Sequence, residues 1–226
     1  MVLNLGILVD SFDVWYHMEG MATTLPSQQD RILALLGECG MMRHSEFRRA
    51  GIAPTAVSRA VDKGLVLQLR RGLYQLPGAP LDANHSLAEV TKLVPRGVVC
   101  LNSALAFHEL TDVIPARVWM AIGRKDWRPR IERPVTSFLR FGPAVLTQGI
   151  EEHLIEGVSV QIYNPAKTVV DMFRYRREVG VNRAIEGLRE TLRQRKARPA
   201  QIARYAADAG AWKLVQPYLE ALTADA

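Results

Sequence analysis

Five histidines could hold a metal ion or move protons: His17, His44, His85, His108 and His153. No two of them stand in H-E-x-x-H or at another two-histidine metal spacing. His108 with Glu109, inside an apolar helical stretch, reads as a hydrogen-bonded pair near the core. A nuclease needs clustered carboxylates to hold metal, and Asp112, Asp126, Glu132 and Asp171 form no such pattern. Ala166-Lys167-Thr168 has the ending of a phosphate-binding loop but lacks the glycines that let backbone N–H groups wrap a phosphate. Lys167 and Asp171 stand four apart, which suits an i,i+4 ion pair packed against a sheet. Cys39 and Cys100 form no C-x-x-C and lie in apolar surroundings, so buried free thiols and a reducing cytoplasm are expected. No catalytic residue, metal site or cofactor is expected.

The remaining chemistry is that of fixed positive charge. There are 29 Lys and Arg against 23 Asp and Glu, a net charge of +6, and the sequence pI is about 9.6. Such a balance favours an anionic partner. Two stretches concentrate it. Pro26 to Pro80 carries 8 Lys/Arg and 4 Asp/Glu, and Arg117 to Arg140 carries 7 and 2. The second includes a loop, Arg124 to Arg133, with Trp127 and Pro129, and Pro134 follows it directly.

The first stretch predicts three short helices and a hairpin. Ile32, Leu33, Leu35 and Leu36 recur at helical spacing between Gln28 and Glu38. A second helix, Ser45 to Ala50, takes Ser45 as its expected cap. The third starts at Pro54, a favoured first helical residue, and stops at Gly64. On it Val57, Ala60 and Val61 make a narrow apolar face opposite Thr55, Ser58, Arg59 and Asp62. Helix-turn-helix proteins present such a helix to the major groove. Leu65 to Arg70 and Leu73 to Leu76 then alternate as a hairpin, with Arg70 and Arg71 at its tip. Basic residues there suit a phosphate backbone, where fixed charge releases counterions. The expected DNA contacts are Arg48, Thr55, Ser58, Arg59, Lys63, Arg70 and Arg71. A protein-interaction module with a solvated basic surface is the other reading of this stretch.

Residues 1–25 contain an apolar run without Lys or Arg and lack the form of a secretory signal. They are expected to be a disordered extension, or to precede a true start at Met21. After the turn-rich Gly78 to Asn84, Ser86 to Glu89 reads as a capping box opening a helix that Pro95 stops. A strand at Val98 to Leu101, a helix at Ser103 to Leu110, and strands at Val118 to Ile122 and Thr136 to Phe141 follow. Leu154 to Tyr163 reads as a hairpin turning at Glu156-Gly157. Asn164-Pro165 opens a helix, and helices at Val181 to Arg195, from Pro199, and at Trp212 to Leu222 complete the chain. Arg183, Arg189 and Arg193 share one face of the long helix. The reading is α+β: a winged helix-turn-helix over 26–80, and a mixed α/β domain over 81–226 of ordinary domain size that should fold without the first.

Taken in order, several motifs carry a family resemblance. They are Arg71-Gly72-Leu73-Tyr74, Leu101-Asn102-Ser103-Ala104-Leu105-Ala106-Phe107-His108, and Pro165-Ala166-Lys167-Thr168-Val169-Val170-Asp171 with Phe173 and Tyr175. Gly180 to Leu188 and Arg204-Tyr205-Ala206 add to them. From about residue 26 to the end the chain resembles the AbiEi-type antitoxins of type IV toxin–antitoxin systems. The resemblance implies a bacterial two-domain, non-enzymatic protein that binds double-stranded operator DNA and represses its own operon. It implies that the C-terminal domain counteracts a nucleotidyltransferase toxin without a stable complex, and that C-terminal basic surface can assist DNA binding. Lys167, Asp171, Arg183, Arg189 and Arg193 are the candidates for the C-terminal activity. The alternatives are a nucleic-acid-processing enzyme targeted by the winged helix, and a protein-interaction adaptor.

Overall fold

A computed structural model of the protein describes residues 26–224. The expectations for residues 1–25 lie outside them. The chain begins with α1 (Gln28–Cys39), β1 (Met41–Arg43), α2 (His44–Arg49), α3 (Pro54–Asp62), β2 (Leu67–Arg70) and β3 (Leu73–Gln75). Ser27 caps α1 reciprocally with Asp30, accepting from the Asp30 N–H at 3.2 Å while the Asp30 carboxylate accepts from the Ser27 N–H at 3.1 Å. Ile32, Leu36, Phe47, Ile52, Val57, Ala60 and Val66 bury together and hold the three helices. The strands form a sheet in the order β1-β3-β2. β1 has no expectation behind it, because three residues are too few for a periodicity. Ser45 is not the cap of α2. The helix starts one residue earlier, and the Glu46 carboxylate accepts from the Arg43 N–H at 2.6 Å instead.

The rest of the chain comprises α4 (His85–Leu93), β4 (Val98–Val99), α5 (Leu101–Phe107), β5 (Val118–Gly123), β6 (Thr136–Phe141), α6 (Pro143–Leu146), β7 (Ile150–Ile155), β8 (Val158–Tyr163), α7 (Pro165–Arg174), α8 (Arg176–Val179), α9 (Val181–Arg193), α10 (Pro199–Asp208) and α11 (Trp212–Thr223). The strand order is β6-β5-β4-β8-β7, with β5/β6 and β4/β8 parallel and the other pairs antiparallel. Side chains alternate across this sheet. Val98, Ala121 and Tyr163 face the core under α5, α7, α9, α10 and α11, whereas Val99, Met120, Val160 and Ile162 face α4. The expected capping box at Ser86 does not form. Asn84 precedes the helix without a side-chain cap, and Glu89 reaches elsewhere. α5 begins at Leu101 and ends at Phe107, before the expected Leu110, because Glu109 takes a left-handed φ of 57°.

The two parts join along a built seam. Met41 and Leu73 bury in the same cluster as Leu87, Val90, Ile155 and Val158. A Cβ at Gly40, whose φ is +64°, would stand 1.5 Å from the Glu156 carbonyl oxygen. Only glycine allows the end of α1 to lie on the β7–β8 turn this closely. The Glu156 carboxylate accepts from the Asp82 N–H at 2.6 Å and pairs with His85 at 2.8 Å. Arg70–Glu89 at 2.8 Å and Lys92–Glu46 at 3.2 Å tie the same seam. Cys39, expected to be buried, is half-buried beside it, whereas Cys100 is buried. Among the described residues no helix is long and apolar enough to cross a membrane.

Candidate nucleic-acid interface

Burial of Val57 and Ala60 fixes which way α3 faces. Thr55, Ser58, Arg59 and Asp62 are consequently all exposed. Arg59 has no hydrogen-bond or ion-pair partner among the described residues, so its guanidinium keeps all its donors free. Ser58 turns its hydroxyl back to the Pro54 carbonyl at 3.3 Å. Lys63, just past α3, is exposed and donates to the Gln29 side chain at 3.1 Å. Arg48 is exposed in the last turn of α2, and so is Arg49, which the sequence reading passed over. The signal for Arg49 was available, since it neighbours Arg48 on a short helix whose buried residue is Phe47.

The hairpin tip divides its two arginines. Arg71 is exposed and unpartnered among the described residues. Arg70, expected to face a phosphate, turns the other way. Its Nε donates to Glu89 at 2.8 Å, with the two side chains 24% and 12% exposed. The irregular register between Gln68 and Arg70 in β2 accompanies the turn.

Lys167 and Asp171 are the interior pair that their spacing predicts, and neither reaches the surface. Lys167 stands 4.7 Å from the Tyr163 ring centre and 5.1 Å from that of Phe141, and donates to Asp171. Asp171 also accepts from Arg174 at 2.8 Å, a partner three residues on that was legible but not named. Burial pulls the Lys167 ammonium below its ordinary pKa, against the opposing pull of Asp171. Asn164 caps this helix as expected, accepting from the Lys167 N–H at 2.9 Å. Lys167 and Asp171, named as candidates for the C-terminal activity, are thus core residues. Arg183 is half-buried, Arg189 is exposed, and Arg193 is exposed with its guanidinium 2.6 Å from Glu190.

His108 does not pair with Glu109, whose side chain is 87% exposed. Its Nε2 lies 2.8 Å from the Tyr163 carbonyl, so that nitrogen carries the proton and donates. Burial lowers its pKa, the backbone hydrogen bond opposing.

Residues 30–77 match the family model described as "Transcriptional regulator, AbiEi antitoxin". The matched segment runs from α1 through β3, so it holds α3 and the hairpin tip, while the Pro165–Asp171 motif lies beyond it. The fold resembles the crystal structure of RV2827C protein from Mycobacterium tuberculosis, with a TM-score of 0.59 over 88% of this chain and 78% of that one. Sequence identity to it is 13%, so this likeness concerns the fold alone. No curated protein matches the chain in sequence.

Proposed function

We propose that this protein is a DNA-binding transcriptional regulator whose AbiEi-matching segment acts as a winged helix-turn-helix. α3 enters the major groove with Thr55, Ser58 and Arg59 toward the base edges. Arg71 on the wing, and Arg48 and Lys63 beside α3, contact phosphates. The observation that carries the reading is Arg59: a free, exposed guanidinium on α3, opposite the buried Val57 and Ala60, inside the residues that match the regulator family. Consistent with that family and with the motifs in the second half, the protein represses its own operon and counteracts a nucleotidyltransferase toxin without holding it in a stable complex.

Arg59→Ala in the full chain tests both roles. An arginine bidentate to guanine discriminates by about 1–3 kcal/mol. Against an operator selected from random duplexes, the variant should lose affinity and relax its preference at one base pair. In a growth-rescue assay with a cognate toxin it should stay protective. An equal loss on operator and random duplex would remove base reading from Arg59.

A further inference from the structure

The loop between β5 and β6 is basic, tied down at its start and topped by a bare indole. Trp127 is 77% exposed. Arg140 Nη1 donates to the carbonyls of Gly123, Arg124 and Asp126 at 3.2, 2.5 and 3.0 Å, which gathers the start of the loop around one guanidinium. The Asp126 carboxylate accepts from the Gly123 N–H at 2.9 Å and pairs with Arg96 at 2.8 Å. Its charge is thus already answered. Arg128 lies over the Phe138 ring at 5.6 Å, bracing the far side.

Beside Trp127 is an open cavity of about 230 Å³ walled by Val94, Pro95, Ile122 and Pro129, with Arg96 at its rim. Arg96 and Arg130 have side chains 81% and 91% exposed, and Arg124, Lys125 and Arg133 are exposed around them. An apolar slot with an indole wall takes a flat aromatic ring, and the cations around it take phosphates. Together these describe a nucleotide in a strand. An intact duplex keeps its ring faces stacked and offers none to a loop side chain, whereas an unpaired base does. An acidic protein would engage the arginines but leave the indole and the apolar slot unused.

We infer that the Arg124–Arg133 loop binds single-stranded nucleic acid, one unpaired base stacking on Trp127 while Arg124 and Lys125, exposed and without a side-chain partner among the described residues, hold the flanking phosphates. The site is far along the chain from α3 and does not depend on the DNA-reading proposal.

The test uses the full chain and fluorescently labelled strands of about 12 nucleotides, within the span that single-strand binders cover. RNA, DNA of the same sequence, and their DNA duplex are compared by anisotropy. Trp127→Ala should weaken binding of a single strand about tenfold and leave the duplex unchanged, while Trp127→Phe retains most of the binding because a ring remains. Preference between the RNA and DNA arms identifies which strand the site favours, and either supports the assignment. It is overturned if the unaltered protein binds neither strand, if Trp127→Ala changes nothing, if duplex binding falls equally, or if polyglutamate displaces a strand as well as unlabelled strand does.

Discussion

Lys167 and Arg59 are both cations on helices, and the molecule holds them by opposite means. Lys167 is enclosed by Tyr163 and Phe141, with Asp171 beside it as its counter-charge. Asp171 in turn is shared with Arg174. Arg59 has water around it and no partner among the described residues. Inside, each charge is a condition for the next, and removing one strands the others in a medium that cannot solvate them. Outside, an unpartnered arginine such as Arg59 or Arg71 can be deleted without disturbing its neighbours, so any loss reports on what it contacts. A cation on a helix thus does two kinds of work, and burial decides which.

The largest effect should come from breaking the interior set. Asp171→Ala leaves Lys167 buried without a counter-charge and costs about 3–5 kcal/mol of stability, the usual penalty for half a buried pair. Urea unfolding would measure it. Replacing both partners, Lys167→Met with Asp171→Leu, should recover much of the loss, since neither charge then needs desolvating, although Arg174 still loses its partner. A single variant no less stable than the double would mean that the interior charges do not depend on one another.

At the hairpin tip the comparison narrows to adjacent residues. Arg71→Ala should shallow the slope of log affinity against log salt by about one unit, because one phosphate contact and its released counterion are lost. Arg70→Ala should leave that slope alone and act instead on the seam, where it strips Glu89 of its partner. Anisotropy titrations at several salt concentrations separate the two. Equal slopes for both variants would mean that Arg70 leaves Glu89 when DNA binds.

Much of this was legible. The three helices and the hairpin between α1 and β3, the exposed face of α3, the Asn164 cap and the Lys167–Asp171 pair all follow from local periodicity and end residues. What escaped is long-range. Ser86 and Glu89 have the pattern of a capping box, but Arg70, 19 residues away, takes the glutamate. Gly40 and Gly157 look like ordinary turn glycines until the fold sets the end of α1 against the β7–β8 turn. The independence expected of residues 81–226 meets the same difficulty, since Met41 and Leu73 cover Leu87, Ile155 and Val158. β1 is defined by its pairing to β3 and by nothing in its own three residues. Trp127 was visible in the sequence as an aromatic among arginines. Its exposure and the bracing by Arg140 belong to the tertiary structure.

The smallest effect concerns a third way of holding a basic group, which is to keep it neutral. His108 lies among Phe107, His153 and Lys196, near Glu151, with Nε2–H donating to the Tyr163 carbonyl. Burial lowers its pKa from the ordinary 6.5. The unfolded chain then binds this proton more readily than the folded one. Stability from this site is complete above that ordinary value, declines as pH falls through it, and levels off once the folded imidazole also protonates. The decline cannot exceed one proton, or about 1.4 kcal/mol per pH unit. Urea unfolding from pH 7.5 to 5 should therefore show a steeper acid loss in the native protein than in His108→Gln, whose amide can still donate to the Tyr163 carbonyl but does not titrate. Parallel curves would show that the folded protein accommodates the imidazolium as well as water does, and that Glu151 offsets the burial.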